Sequence, residues 1–192
     1  MATVKAMIHR ILLLALVIFF NAQVHAEPLR RDYPGWVASS ANSQPSDTIS
    51  DLVLRCRGEG CAKDTLECVV FHFDAPAGLS DIKSFADPEK FPVGQLNFWM
   101  AASIMQERRD ILHGRTDLQP STPLALGPSR ISNIDIVSST SDVSAGQAVL
   151  KMYLALWLDA PQLRGLRCSY IEDNGEQTSD RVTELLRILL KA

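Results

Sequence analysis

Beyond its first 26 residues, this 192-residue chain contains only two histidines, His72 and His113, and the first lies two positions before Asp74. An extended strand places residues i and i+2 on one side. His72 and Asp74, completed by the distal His113, would therefore give two imidazoles and one carboxylate, the open donor set that suits iron. The structural alternative is a His–Asp hydrogen bond at a strand edge, with His113 placed where the C-terminal dipole of a helix favours an imidazole. Ser80-Asp81-Ile82-Lys83 has the spacing that sets a lysine one helical turn from a serine hydroxyl. The Ser-Asp-Asn and Lys-Thr-Gly elements that accompany that pair in penicillin-binding enzymes are absent. So are a Gly-x-Ser-x-Gly elbow, a phosphate-cradling glycine loop, His-Glu-x-x-His and Cys-x-x-Cys. No cofactor is expected.

Aromatic residues give a second kind of candidate. On a strand over Ala148–Leu158, Tyr153 and Trp157 share a face with Lys151 and Asp159, and amphipathic rings in such a setting are common anchors for a partner. The competing expectation is that this face is covered by the chain's own first helix or by its N-terminal arm.

All four cysteines, Cys56, Cys61, Cys68 and Cys168, follow the first 26 residues. An even count in an exported chain reads as two disulfides. Of the three possible pairings we favour Cys56 with Cys61, closing the Arg57-Gly58-Glu59-Gly60 loop, and Cys68 with Cys168, tying an early strand to a late one. Spacings of five, seven and one hundred do not resemble the close ligand pairs of a zinc ribbon.

The expectation of export comes from residues 1–26. Lys5 and Arg10 precede the apolar run Ile11–Phe20, and Val24-His25-Ala26 ends the segment with small residues three and one before a cut. An apolar core of about ten residues is too short to span a membrane. The segment holds two of the 19 basic residues and none of the 22 acidic ones, leaving 17 against 22, a net charge of −5. Such a chain lacks the basic field for nucleic acid and the polybasic anchor for anionic lipid.

The elements that must position these residues follow from periodicity. Ala148, Leu150, Met152, Leu154, Leu156 and Leu158 alternate along one strand face. A helix here would need a second apolar face, because Leu150, Leu154 and Leu158 leave the stripe made by Val149, Met152, Tyr153 and Leu156. Residues 27–50, rich in Ser, Asn, Gln, Asp and Pro, read as an extended arm that Trp36 could pin to the domain. Leu52–Arg57 and Leu66–Asp74 read as a hairpin. Gly94–His113 carries a helical stripe ending before Gly114, and residues 115–128 read as loop. Ile131–Ser138, the central strand and Leu166–Ile171 form a meander. A final helix capped by Thr178 or Ser179 buries Val182, Leu185, Leu186 and Leu189.

The expected architecture is a single α+β domain over residues 51–192. A mostly antiparallel sheet of about five strands, in β-β-α-β-β-β-α order, is backed by two helices and tied by two disulfides. The expected function is a non-catalytic, periplasmic or secreted module that binds another envelope or extracellular protein around Tyr153, Trp157 and Lys151. The alternatives are a carrier enclosing a small apolar ligand near Leu150, Leu154 or Trp99, and a small hydrolase or metal enzyme using His72 and Asp74.

Overall fold

A computed structural model describes residues 32–40, 49–62, 65–87, 89, 119–120, 126–145, 148–171 and 175–191. Contacts divide the chain between Asp32 and Tyr33, and every element below belongs to the unit Tyr33–Ala192. The order is β1 (Trp36–Ser40), β2 (Ile49–Cys56), β3 (Glu67–Asp74), a 3-10 turn η1 (Ile82–Ala86), β4 (Gln119–Pro120), β5 (Gly127–Ile131), β6 (Ile134–Ala145), β7 (Ala148–Asp159), β8 (Gln162–Ile171) and α1 (Gly175–Leu190).

The strands form one antiparallel sheet in the order β1-β2-β3-β8-β7-β6, with β4 and β5 both lying along β6. The last hairpin, β7–β8, brings β8 back against β3, and this closes the N-terminal hairpin onto the meander. β7 is the spine of the sheet. Leu150, Leu154 and Leu156 on its even side are fully buried and Met152 is nearly so, as alternation dictates. Its odd side is also packed, because Ala155 and Trp157 are buried there as well.

The two faces have separate cores. On one, Phe71, Val137, Leu154, Leu156 and Leu163 meet Ile82 and Phe85 of η1 and Leu126. On the other, Leu52, Leu54, Val70, Ala155, Trp157 and Leu166 meet Val182, Leu185, Leu186 and Leu190 of α1. At the first face Gly165 of β8 lies opposite Phe71 of β3, and a Cβ added at Gly165 would overlap the Phe71 ring. Glycine is required there by the close approach of the ring rather than by backbone conformation.

The cysteines pair as Cys56–Cys61 and Cys68–Cys168. Cys68 and Cys168 are directly opposite in the β3–β8 register, with Cα atoms 4.0 Å apart.

The expected sheet of about five strands backed by two helices is corrected by this topology: eight strands are present, and α1 is the single α-helix among the described residues. One additional strand, β1, comes from within residues 27–50, expected to be an extended arm. Pairing with β2 and burial of Trp36 offset the polar composition of that segment. Two more, β4 and β5, carry Pro120, Gly127 and Pro128 from the stretch expected to be loop, and they sit at a sheet edge where a missing N–H is tolerated. Ile131–Ser138, expected to be one strand, is broken by a two-residue turn with Ser132 and Asn133 at φ 51° and 67°, the twist that a type I′ hairpin needs. The final helix begins at Gly175, so Thr178 lies inside it, buried, rather than at its cap. The expected helix 94–113 and the N-terminal segment 1–26 lie outside the described residues.

Candidate functional site

β3 places His72 on the helix-side face of the sheet, in line with Cys68 and Val70, where it is 8% exposed and sits opposite Arg164 of β8. Asp74 continues the same alternation but emerges at the strand end, exposed, opposite Gln162. The strand therefore brings the two residues to one side, with the imidazole enclosed and the carboxylate in solvent. His113 lies outside the described residues, and among those described no three His, Cys, Asp or Glu side chains are grouped so that they could hold a metal ion. The Ser80/Lys83 pair does not form a helical turn. Asp81 caps η1 by accepting from the Lys83 backbone N–H, and the Lys83 ammonium is 2.8 Å from Asp135 of β6.

Tyr153, Trp157 and Lys151 do lie on one face of β7, but in different surroundings. Trp157 is 7% exposed and belongs to the core that includes α1. Tyr153 is half-buried at the margin of that core, and burial pushes its phenol above the ordinary value of 10.0, partly offset by a side-chain hydrogen bond with Ser138. Lys151 is half-buried, and its ammonium donates to Asp142 of β6 at 2.9 Å. Val149, next along this face, is 38% exposed, and Thr140 opposite Tyr153 is exposed too. The rings thus separate into a core anchor, Trp157, and a surface margin of Val149, Lys151, Tyr153 and Thr140. One ion pair, Lys151–Asp142, crosses that margin.

Two arginines carry more of the structure than their sequence context suggested. Arg167 of β8 is 2% exposed on the face opposite α1, where alternation along Leu163, Gly165, Arg167, Ser169 and Ile171 sets it among inward positions. That alternation was visible in the sequence once β8 was extended back to Leu163. Arg181 of α1 donates through Nε and Nη2 to the carbonyl of Glu59, at 3.1 and 3.0 Å, and through Nη1 to Glu184 at 3.2 Å. It fixes the Cys56–Cys61 loop to the helix and borders an open groove of about 270 Å³ lined also by Gly60, Gln177 and Asp180. No spacing rule links residues 59 and 181, so only the fold reveals this contact.

The molecule is therefore a disulfide-tied antiparallel sheet with a helix across part of one face. No family model matches the chain, and no curated protein matches it in sequence. Among solved structures it is similar to the solution structure of the cyanobacterial PsbP protein, CyanoP, from Synechocystis. The identity is 15%, the TM-score is 0.46, and the match covers 76% of this chain and 75% of that one. A likeness of this size says nothing about shared chemistry or partners. Among the described residues, no helix is long and apolar enough to cross a membrane.

Proposed function

We propose that the chain is an exported, non-catalytic module that binds another envelope or extracellular protein through the margin of the helix-side sheet face at Val149, Lys151 and Tyr153. The observation that supports this reading is the incomplete cover of that face. Trp157 and Ala155 lie in the core with α1, whereas Val149 and Thr140 remain exposed on the same rigid pair of strands. An apolar side chain, an aromatic ring and a neutralised ion pair on long paired strands lose little conformational entropy on binding, which favours association. Farther along the same face, Trp157 holds β7 in the core that includes α1. Two disulfides and the signal-like residues 1–26 support an oxidising, extracytoplasmic location, periplasmic or secreted.

The test is native mass spectrometry of the protein recovered from its own host, run beside Val149→Glu and Tyr153→Ala. The expected result is an added protein subunit on the parent, absent from both variants, with the thermal midpoint of Val149→Glu, an exposed position, unchanged. A subunit retained by both variants would move the site elsewhere. A parent that carries a lipid-sized or metal-sized mass in place of a subunit would overturn the reading.

A further inference from the structure

The outer edge of β1 differs in kind from the opposite edge of the sheet, where β4 and β5 carry Pro120 and Pro128. β1 reads Trp36-Val37-Ala38-Ser39-Ser40, a strand of ordinary length with no charge, no proline and no bulge in its pairing with β2. Sheet edges are normally blunted by one of those devices, because a row of open N–H and C=O groups invites another strand. Among the described residues β1 pairs with β2 alone.

Which groups face outward follows from the register. Arg57 N–H donates to the Gly35 carbonyl at 2.8 Å, and Gly35–Arg57 continues the β1–β2 register by one step beyond Trp36–Cys56. Hydrogen-bonded pairs recur every second residue in an antiparallel ladder. Val37 and Ser39 therefore direct their backbone groups to β2, and Trp36, Ala38 and Ser40 direct theirs away from the sheet. The Trp36 N–H is already used: it donates to the Tyr33 carbonyl at 2.9 Å in a turn with Pro34 second and Gly35 third, at φ 78°. Among the described residues, the open donors are then the N–H groups of Ala38 and Ser40, and the open acceptors include the carbonyls of Trp36 and Ala38.

That pattern is complementary to itself. We propose that β1 pairs with β1 of a second copy of this chain, antiparallel and centred on Ala38, to join two sheets across a two-fold axis. In this register each Ala38 N–H meets the Ala38 carbonyl of the other copy, and each Ser40 N–H meets the other Trp36 carbonyl, giving four symmetric hydrogen bonds. A two-fold axis requires such self-complementarity. Val37, 52% exposed, comes to lie beside Ser39 of the second copy, and no charged side chain of β1 enters the seam. A five-residue edge is small beside the roughly 1,000 Å² that a stable interface needs, so the association is weak and concentration-dependent.

Sedimentation velocity of the purified protein from about 1 to about 500 μM tests this. The expected result is a reversible rise in average mass toward twice that of the chain. Val37→Glu sets two like charges across the seam while facing Arg55 of β2 with an opposite one, and Ala38→Pro removes the central outward donor. Both should stay monomeric over the whole range, with Val37→Glu keeping the parent thermal midpoint. A parent that is monomeric throughout, or a dimer that persists in Val37→Glu, would overturn the proposal. Val149→Glu should dimerise like the parent, which separates this edge from the face proposed to bind another protein.

Discussion

The sharpest constraint at the scale of single residues is the contact between Gly165 and Phe71. The ring occupies the space that any side chain on β8 would need at that position, directly across the strand pair. Gly165→Ala should therefore destabilise the protein by about 1 to 3 kcal/mol, the usual cost of forcing one more carbon into a filled core. Urea unfolding of Gly165→Ala, Phe71→Leu and the double variant measures it. The double variant should lose less than the sum of the two singles, because the smaller side chain makes room for the new methyl; simple additivity would mean that the ring is not the obstacle. Histidine 72 teaches the opposite lesson. That it shares a side of β3 with Asp74 was legible in the sequence, but their unequal burial was not, because exposure depends on where the strand ends relative to β8.

Among the elements, η1 is held to the sheet by buried Ile82 and Phe85 and also by charge. Lys83 of η1 reaches Asp135 at the start of β6, and Arg130 of β5 approaches the same carboxylate at 3.6 Å. The hydrogen bond from Lys83 is the main cause that holds Asp135 below its ordinary value of 3.8, with the charges of Lys83 and Arg130 adding to it against some desolvation. A carboxyl lowered by folding contributes stability above its unfolded value, and that contribution is lost as pH falls through its folded value. The loss therefore belongs to the range below about pH 4. In an NMR titration, Lys83→Ala should raise the Asp135 midpoint toward 3.8, and an unchanged midpoint would show that Lys83 is not the cause. The β5–β6 turn explains a different failure of sequence reading. Ser132 and Asn133 adopt positive φ without a glycine, so the break between two strands carried only the weaker turn signal of a Ser-Asn pair.

For the molecule as a whole, the two disulfides divide the work by loop length. Cys68–Cys168 closes a loop with a sequence separation of 100, and Cys56–Cys61 one of only 5. In the chain-entropy picture a loop of the first size contributes about 4.7 kcal/mol, and one of the second about 2 kcal/mol. Replacing both cysteines of each pair by alanine should thus cost roughly twice as much at Cys68/Cys168 as at Cys56/Cys61, measured by denaturant unfolding. The reverse order would show that the small loop matters chiefly for the contacts it makes, since Arg181 and the start of β1 both dock on it.

Features that depend on neighbours along the chain were readable from the order of the residues. The period of two from Ala148 to Leu158 made β7 a strand, the apolar stripe Val182–Leu189 made α1 a helix, and the parity of four cysteines implied two bridges. Features that depend on neighbours in space emerged with the folded chain. Trp157 is a core residue and Val149 a surface one because the chain's own packing ends partway along β7, and no property of either residue records where that cover stops. Trp36–Ser40 became a strand because β2 offered it a ladder and a place for the indole. The gain from burial and pairing lies in the partner strand, so the polar composition of residues 27–50 could not reveal it.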